Sequence, residues 1–132
     1  MAIAALVTWI VTALGGFYML GVWISRGGHR DRQSRLPAPV AFGHLLLAAI
    51  GLVLWIVYLA LDSDVLAWSS LGLLVLIALL GFTMLFRWIP VYRARATSPA
   101  PERSIPVAVV AGHGVLAVAT LVLVLLATVA GS

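Results

Sequence analysis

Four long apolar stretches alternate with short polar ones along the chain. The apolar stretches cover residues 2–24, 40–61, 66–89 and 106–129. A helix needs about 20 apolar residues to cross the hydrocarbon core of a bilayer, so each stretch is long enough for one crossing. Short connections between helices favour antiparallel neighbours. The pattern therefore predicts an all-α integral membrane protein in which four transmembrane helices form an up-down-up-down bundle.

The chain contains two related halves. Residues 13–24 and 78–89 are identical at eight of twelve positions and share the pattern GF-x-ML-x-x-WI. Residues 37–48 and 106–117 share a proline, a Gly-His pair and a Leu-Ala pair at matching places. A bias in composition does not match Trp, Met, Phe and Gly-His in the same order. The sequence thus predicts a single membrane domain, 1–132, made of two tandemly duplicated helical hairpins, 1–61 and 66–132.

Basic residues indicate the orientation of the helices. A mean hydropathy of +1.17, with 64% hydrophobic and 9% charged residues, leaves too little polar surface for a soluble globule of this size. The eight basic residues are all arginines, and they lie in or beside residues 25–39 and 90–105. Cytoplasmic loops are enriched in basic residues, so these two loops are predicted to be cytoplasmic and both termini non-cytoplasmic. An arginine-only basic set favours a GC-rich genome, and hence a bacterial inner (plasma) membrane.

Tryptophans near the span ends predict contacts with the membrane interface. Trp23 and Trp88 close the repeated pattern on the arginine-rich side, and Trp55 and Trp68 lie towards the opposite side. Such rings settle at the bilayer surface with an apolar body and a polar tip. The main interpretation of GF-x-ML-x-x-WI is therefore an interface anchor with bundle packing. The alternative is one wall of a cofactor or quinone pocket.

Several function classes lack the residues that they need. The chain has no cysteine, which excludes disulfides, iron–sulfur ligation and thiolate metal sites. No Asp or Glu lies within a predicted span, although a proton- or cation-coupled carrier needs one there. The chain therefore resembles the small multidrug transporters in size and number of spans only. No Ser, His and acidic residues form a nucleophilic arrangement, so neither a hydrolase nor a transferase is expected. A nucleic-acid partner is not expected either.

Two histidines are the main candidates for chemistry within the spans. His44 and His113 each lie seven residues after a proline, Pro37 or Pro106, and therefore about 10 Å into parallel helices. In the predicted bundle these helices are diagonal, with axes about 12–14 Å apart, a gap that two imidazoles do not close directly. A haem b held by one axial imidazole from each side fits such a gap. The sequence thus predicts one haem with His44 and His113 as its metal ligands.

Residues near the histidines agree with a haem. Gly43, Gly112 and Gly114 remove side-chain bulk where a macrocycle would approach closely. Arg35 and Arg103 lie nine and ten residues before the histidines, and are the predicted partners of two haem propionates. The predicted function is electron transfer by a small b-type cytochrome or cytochrome-like subunit, similar to four-helix membrane cytochromes in architecture only. One haem in one leaflet needs a quinone or a partner subunit to carry an electron across the membrane.

The alternative hypothesis is a non-enzymatic accessory or scaffold subunit of a larger membrane complex. Membrane helices use small residues for close packing and lone polar side chains for hydrogen bonds between helices. Under this hypothesis the histidines are packing residues, and the partners are the lipid bilayer, other membrane subunits or further copies of the chain. A zinc site is less well supported, because zinc takes about four ligands and this core offers two.

Overall fold

Four long helices make up most of the chain. The computed structural model describes residues 1–131, so the final residue of the predicted second repeat lies outside the described part. The helices are α1 (Ala2–Ser25), α2 (Ala38–Leu61), α3 (Asp64–Arg93) and α4 (Val107–Ala130), with a short 3₁₀ helix at Pro101–Ser104. Each long helix is long and apolar enough to cross a membrane, which confirms four membrane-length helices. We call the end formed by residues 26–37 and 94–106 the arginine end, and the other the terminal end.

Prolines and one left-handed residue set several helix ends. Pro37 and Pro106 immediately precede α2 and α4, where the missing N–H of proline costs little because it would be unpaired there. Asp62, at φ 51°, ends α2 and begins a two-residue connection to α3. α3 continues through Pro90 to Arg93, beyond the predicted end at residue 89. A proline removes only one helical hydrogen bond, and the last turn of α3 stays helical around it.

The helices pack as two close pairs. α1 packs most extensively against α4, and α2 against α3; we call these pairs the α1/α4 layer and the α2/α3 layer. The two seams between the layers, α1 with α2 and α3 with α4, are more loosely packed. Within residues 1–131, α2 and α4 have no close backbone contact, in agreement with the predicted diagonal arrangement. The closest packing therefore joins helices from different predicted hairpins, and each hairpin is itself a loose pair.

One apolar cluster fills the terminal end. Trp9 and Trp55 are its largest buried side chains. Trp9 lies over Gly51, where a Cβ would be 3.1 Å from the indole ring. Trp55 donates its indole N–H to Ala2 O at 3.2 Å. Trp55 is therefore a core residue rather than the interface anchor that its position predicted, whereas Trp68 is exposed.

A second apolar cluster closes the arginine end. Trp23 and Trp88, the matching tryptophans of the two halves, are only 1% and 6% exposed. Their indole N–H groups donate to Ser34 Oγ at 3.0 Å and to Glu102 O at 3.1 Å. The Glu102 carboxylate is fully buried and accepts hydrogen bonds from the Ser34 hydroxyl and the Arg35 backbone N–H. The predicted interface anchors thus fasten the loops to the bundle, because each indole finds its partner within the protein.

The outer faces of all four helices carry exposed apolar side chains. Examples from α1 to α4 are Phe17, Leu46, Phe86 and Val115. Lipid tails cover such faces in a membrane, whereas a soluble protein rarely exposes large contiguous apolar patches. The architecture is therefore an all-helical four-helix bundle compatible with a multi-pass membrane protein.

Candidate functional site between the helix layers

His44 and His113 face each other across the centre of the bundle. Their ring centroids are 6.3 Å apart, and the ring planes are inclined by 55°. The sequence predicted a gap between diagonal helices that two imidazoles do not close. The backbones of α2 and α4 are indeed apart, but the two side chains extend towards each other and leave a much narrower gap between the rings.

Each imidazole is fixed by a hydrogen bond to the other helix of its own layer. His44 Nδ1 lies 3.0 Å from Ile77 O of α3, and His113 Nδ1 lies 2.9 Å from Thr12 O of α1. A carbonyl oxygen only accepts hydrogen bonds, so Nδ1 carries the proton and the neutral ring keeps a lone pair on Nε2. Within residues 1–131 no group is hydrogen-bonded to either Nε2. The site thus presents two oriented imidazoles, each with a free ligand atom.

A glycine lies beside each histidine, on the helix that accepts its hydrogen bond. A Cβ at Gly16 of α1 would be 3.2 Å from His113 Cε1, and a Cβ at Gly81 of α3 would be 3.4 Å from His44 Cε1. Gly16 lies one helical turn after Thr12, and Gly81 lies one turn after Ile77. The histidine rings therefore occupy the space that side chains at these two positions would fill.

The two contacts are equivalent in the two halves of the chain. Gly16 and Gly81 are the glycines of the repeated GF-x-ML-x-x-WI pattern, and Thr12 and Ile77 also occupy matching positions. The histidine of the first half packs on the glycine of the second half, and the reverse contact completes the pair. Sequence reasoning found the repeated glycine but not its role, and its matched position was the available signal.

The three glycines predicted to make room for a cofactor have other surroundings. A Cβ at Gly43, Gly112 or Gly114 would meet no atom within 4 Å outside its own stretch of helix. These positions therefore border open space in the structure, on the two helices that carry the histidines. Their proposed part in cofactor binding stays a prediction.

The two predicted propionate partners lie at the arginine end. Arg35 and Arg103 are both exposed, and Arg103 donates a guanidinium hydrogen bond to Ser98 O at 3.0 Å. Trp23 and Trp88, in the arginine-end cluster, lie along the bundle between these two arginines and the paired histidines. Contact between a propionate and either arginine stays a prediction, and it requires a path around that cluster.

The buried core is interrupted at the depth of the histidines. No residue is fully buried in the stretches 13–22, 42–50, 78–87 and 107–119, which cover this depth in the four helices. A close-packed bundle normally buries about one residue per turn of each helix. The terminal-end and arginine-end clusters are therefore separate, and every side chain in these stretches between them is at least partly exposed.

A bare metal ion has too few ligands here. Among residues 1–131 no group of three or more His, Cys, Asp or Glu side chains converges. Two imidazoles satisfy the axial positions of a haem iron, but only about half of the usual zinc coordination.

Larger residues at the two histidine-facing glycines should displace the rings. In Gly16→Leu or Gly81→Leu the new side chain begins 3.2 or 3.4 Å from an imidazole carbon. We expect each variant to lose the adjacent Nδ1 hydrogen bond and about 1–3 kcal/mol of stability, as in other overpacked cores. Unfolding of the detergent-solubilised protein, followed by circular dichroism, measures this loss.

Gly72→Leu is the matched control for these variants. It places the same side chain elsewhere on α3, the helix of Gly81, at a position that borders open space. Its unfolding temperature should stay close to that of the unmodified protein. A loss of stability as large as that of Gly81→Leu would contradict the assigned contact.

Fold and site together define an all-helical protein with four membrane-length helices and one facing pair of half-buried histidines. No protein family, curated protein or solved structure was found to match the chain. Its function must therefore be inferred from its own residues.

Proposed function

We propose that the protein is a small b-type cytochrome or cytochrome-like subunit, with one haem b between His44 and His113. The observation that carries this proposal is the pair of facing imidazoles, each oriented through Nδ1 and each with a free Nε2. When bound in this way, haem supplies reversible one-electron transfer.

The separation of the imidazoles supports ligation of one iron. Metal–nitrogen bonds to imidazole are about 2.0–2.1 Å long and the ring centre lies about 1.1 Å further on, so two axial imidazoles have centroids about 6.3 Å apart. The observed distance between the centroids is 6.3 Å. The centroid distance of His44 and His113 thus supports bis-imidazole ligation, in which both Nε2 atoms would face the iron.

The Nδ1 hydrogen bonds also support the proposal. Histidine ligands of metals usually donate their second ring N–H to a carbonyl or carboxylate, which fixes the tautomer and the ring orientation. Ile77 O and Thr12 O have this relation to His44 and His113. Both rings are held in place by backbone groups of rigid helices, so little ordering is needed when a ligand binds.

A flat macrocycle held by both imidazoles would lie between the two layers. Each imidazole lies between the two helices of its own layer, because its Nδ1 bonds the neighbouring helix there. A plane between the rings therefore runs between the layers and opens at both loose seams. Gly43, Gly112 and Gly114 border open space along the histidine helices and leave room for the macrocycle edge.

Charge and membrane placement complete the proposal. Arg35 and Arg103 are the proposed partners of the propionates, reached along a seam rather than through the arginine-end cluster. We place the arginine end in the cytoplasm of a bacterial cell and both termini outside it, following the positive-inside rule. A quinone or a second membrane subunit would exchange electrons with the haem.

An internal duplication accounts for the symmetry of the site. Under this proposal, the hairpins 1–61 and 66–132 arose by tandem duplication of one hairpin. The matching contacts of Gly16 with His113 and of Gly81 with His44 support this origin, because each uses the same pair of aligned positions.

The second candidate function is a non-enzymatic accessory subunit of a membrane complex. The same Nδ1 bonds favour it, because hydrogen bonds between helices also serve as packing contacts in membranes. In this case the histidines stabilise the two layers and bind no cofactor.

A reduced-minus-oxidised visible spectrum of the detergent-purified protein, made with ample haem, separates the two candidates. A sharp b-type α band at about one haem per chain supports the cytochrome. A flat spectrum overturns it and favours the accessory subunit, whose partner chains should then co-purify in a mild detergent.

A further inference from the structure

An arginine-lined cleft lies at the arginine end, away from the histidines. Its volume is about 480 Å³, and it is lined by residues of both loops and of α3. Its lining includes three arginines, Arg32, Arg35 and Arg87. No carboxylate-bearing residue lines it. The cleft therefore brings together positive charge from the first loop and from α3 in one half-open groove.

The acidic residues of the chain leave this charge uncompensated. Arg32, Arg35 and Arg87 form no ion pair within residues 1–131. The buried Glu102 carboxylate binds the Arg35 backbone N–H and the Ser34 hydroxyl instead of a guanidinium. Asp31 accepts a hydrogen bond from the Gln33 N–H, and the other two acidic residues lie at the terminal end. Arg87 donates one guanidinium hydrogen bond to Arg35 O at 3.5 Å. None of the three guanidinium groups has a carboxylate partner, so their positive charge is available to an anion from outside the chain.

The position of the cleft favours a lipid over a soluble anion. Arg87 lies in α3 next to Trp88, and Arg35 lies just before α2, so the cleft is level with the ends of the membrane-length helices. A second cavity of about 270 Å³ adjoins it and shares Arg35, Ser98 and Pro99. Pro90 and Val91 of α3, with Ala94 just after its end, line this second cavity, and the exposed apolar face of α3 follows. The cleft therefore offers positive charge for a lipid headgroup, and the adjoining surface offers apolar contacts for the rest of the lipid.

We propose that the arginine cleft binds the phosphate group of an anionic phospholipid, with the glycerol backbone in the adjoining cavity. Guanidinium groups bind phosphate oxygens through paired hydrogen bonds, and basic pockets at the ends of membrane helices attract anionic headgroups. This site shares Arg35 with the proposed propionate contacts, but Arg32 and Arg87 have no part in the proposed haem site.

Binding of defined lipids to the detergent-purified full chain tests the proposal. Phosphatidylglycerol and phosphatidylcholine are titrated separately, and bound lipid is counted by native mass spectrometry. We expect phosphatidylglycerol to bind at least about tenfold more tightly, since each arginine near an anionic headgroup contributes favourably. Equal binding of the two lipids by the unmodified protein overturns the proposal without any variant.

Two double variants then locate the site. Arg32→Gln/Arg87→Gln removes two charges from the cleft, and Arg26→Gln/Arg93→Gln removes two exposed charges that do not line it. We expect the first to abolish the preference for phosphatidylglycerol and the second to keep most of it. An equal loss of this preference in both variants would show that the overall positive charge attracts the lipid, and would overturn the assignment of the site to the cleft.

A soluble competitor distinguishes the source of the phosphate. Inorganic phosphate and glycerol 3-phosphate at about physiological ionic strength should not displace the bound lipid, because they lack the apolar part. Displacement by either one overturns the lipid assignment. The haem spectrum of the cleft variant should be unchanged. The lipid proposal and the haem proposal can therefore fail separately.

Discussion

Replacement of either His44 or His113 by alanine should abolish the b-type absorption band. In the proposed site the haem iron takes one imidazole from each layer, and the facing pair has only one histidine on α2 and one on α4. We expect bound haem to fall from about one per chain to below about one tenth, because loss of an axial ligand removes most of the binding free energy. The pyridine haemochrome assay on purified protein measures the content directly.

His29→Ala is the matched control for the histidine variants. His29 lies in the loop after α1 and packs edge-on against Trp23, with the ring centroids 6.4 Å apart. This loop is at the arginine end, well away from the paired histidines along the bundle. The His29 variant should keep its full band. Free imidazole added to His44→Gly or His113→Gly should restore part of the absorbance, which separates loss of a ligand from loss of the fold. A band that survives in either alanine variant would contradict axial ligation by that histidine.

Gly28→Ala should cause the largest loss of stability among single small substitutions at the arginine end. A Cβ at Gly28 would overlap the indole ring of Trp23 at Nε1 and Cδ1. The rigid indole must move, which breaks its hydrogen bond to Ser34 and opens the cluster around it. We expect a loss of about 2–4 kcal/mol, the range for overpacking combined with loss of a buried hydrogen bond. Unfolding in detergent, followed by tryptophan fluorescence, measures it.

Two further glycines separate crowding from backbone strain. Gly21→Ala lies in α1 with no atom near its Cβ, and should be neutral or slightly stabilising. Gly27→Ala also has open space but sits at φ 76°, so it should cost about 1 kcal/mol from the backbone alone. If Gly28→Ala unfolds at the same temperature as Gly27→Ala, crowding against the Trp23 ring does not add to the loss of stability, and the prediction is wrong.

The four helices were predictable because their lengths follow from the thickness of a bilayer. Pro37 and Pro106 also marked the starts of α2 and α4 to within two residues. The third span was predicted to end at residue 89, whereas α3 continues through Pro90 to Arg93. Within a helix near its last turn, the cost of a proline is small enough for the helix to continue.

The pairing of the helices was not predictable from the hydrophobic pattern. Every helix is apolar on nearly all faces, so the sequence does not distinguish the side that meets protein from the side that meets lipid. For the same reason Trp23 and Trp88 were interpreted as interface anchors, although their indoles bind the loops. The depth of His44 and His113 followed from helix geometry, but their partners, Thr12 O and Ile77 O, are backbone groups that carry no sequence signal.

α1 is synthesised long before its main partner. α2 and α3 are joined by two residues, so this layer can form as soon as both helices are inserted. α1 instead meets α4, and the hydrogen bond from His113 to Thr12 O spans 101 positions of the chain. Contacts so distant in sequence form late and slowly. During synthesis the face of α1 that carries Gly16 therefore stays uncovered until α4 has been made. A chain truncated before α4 has one fully assembled layer and one helix without its partner.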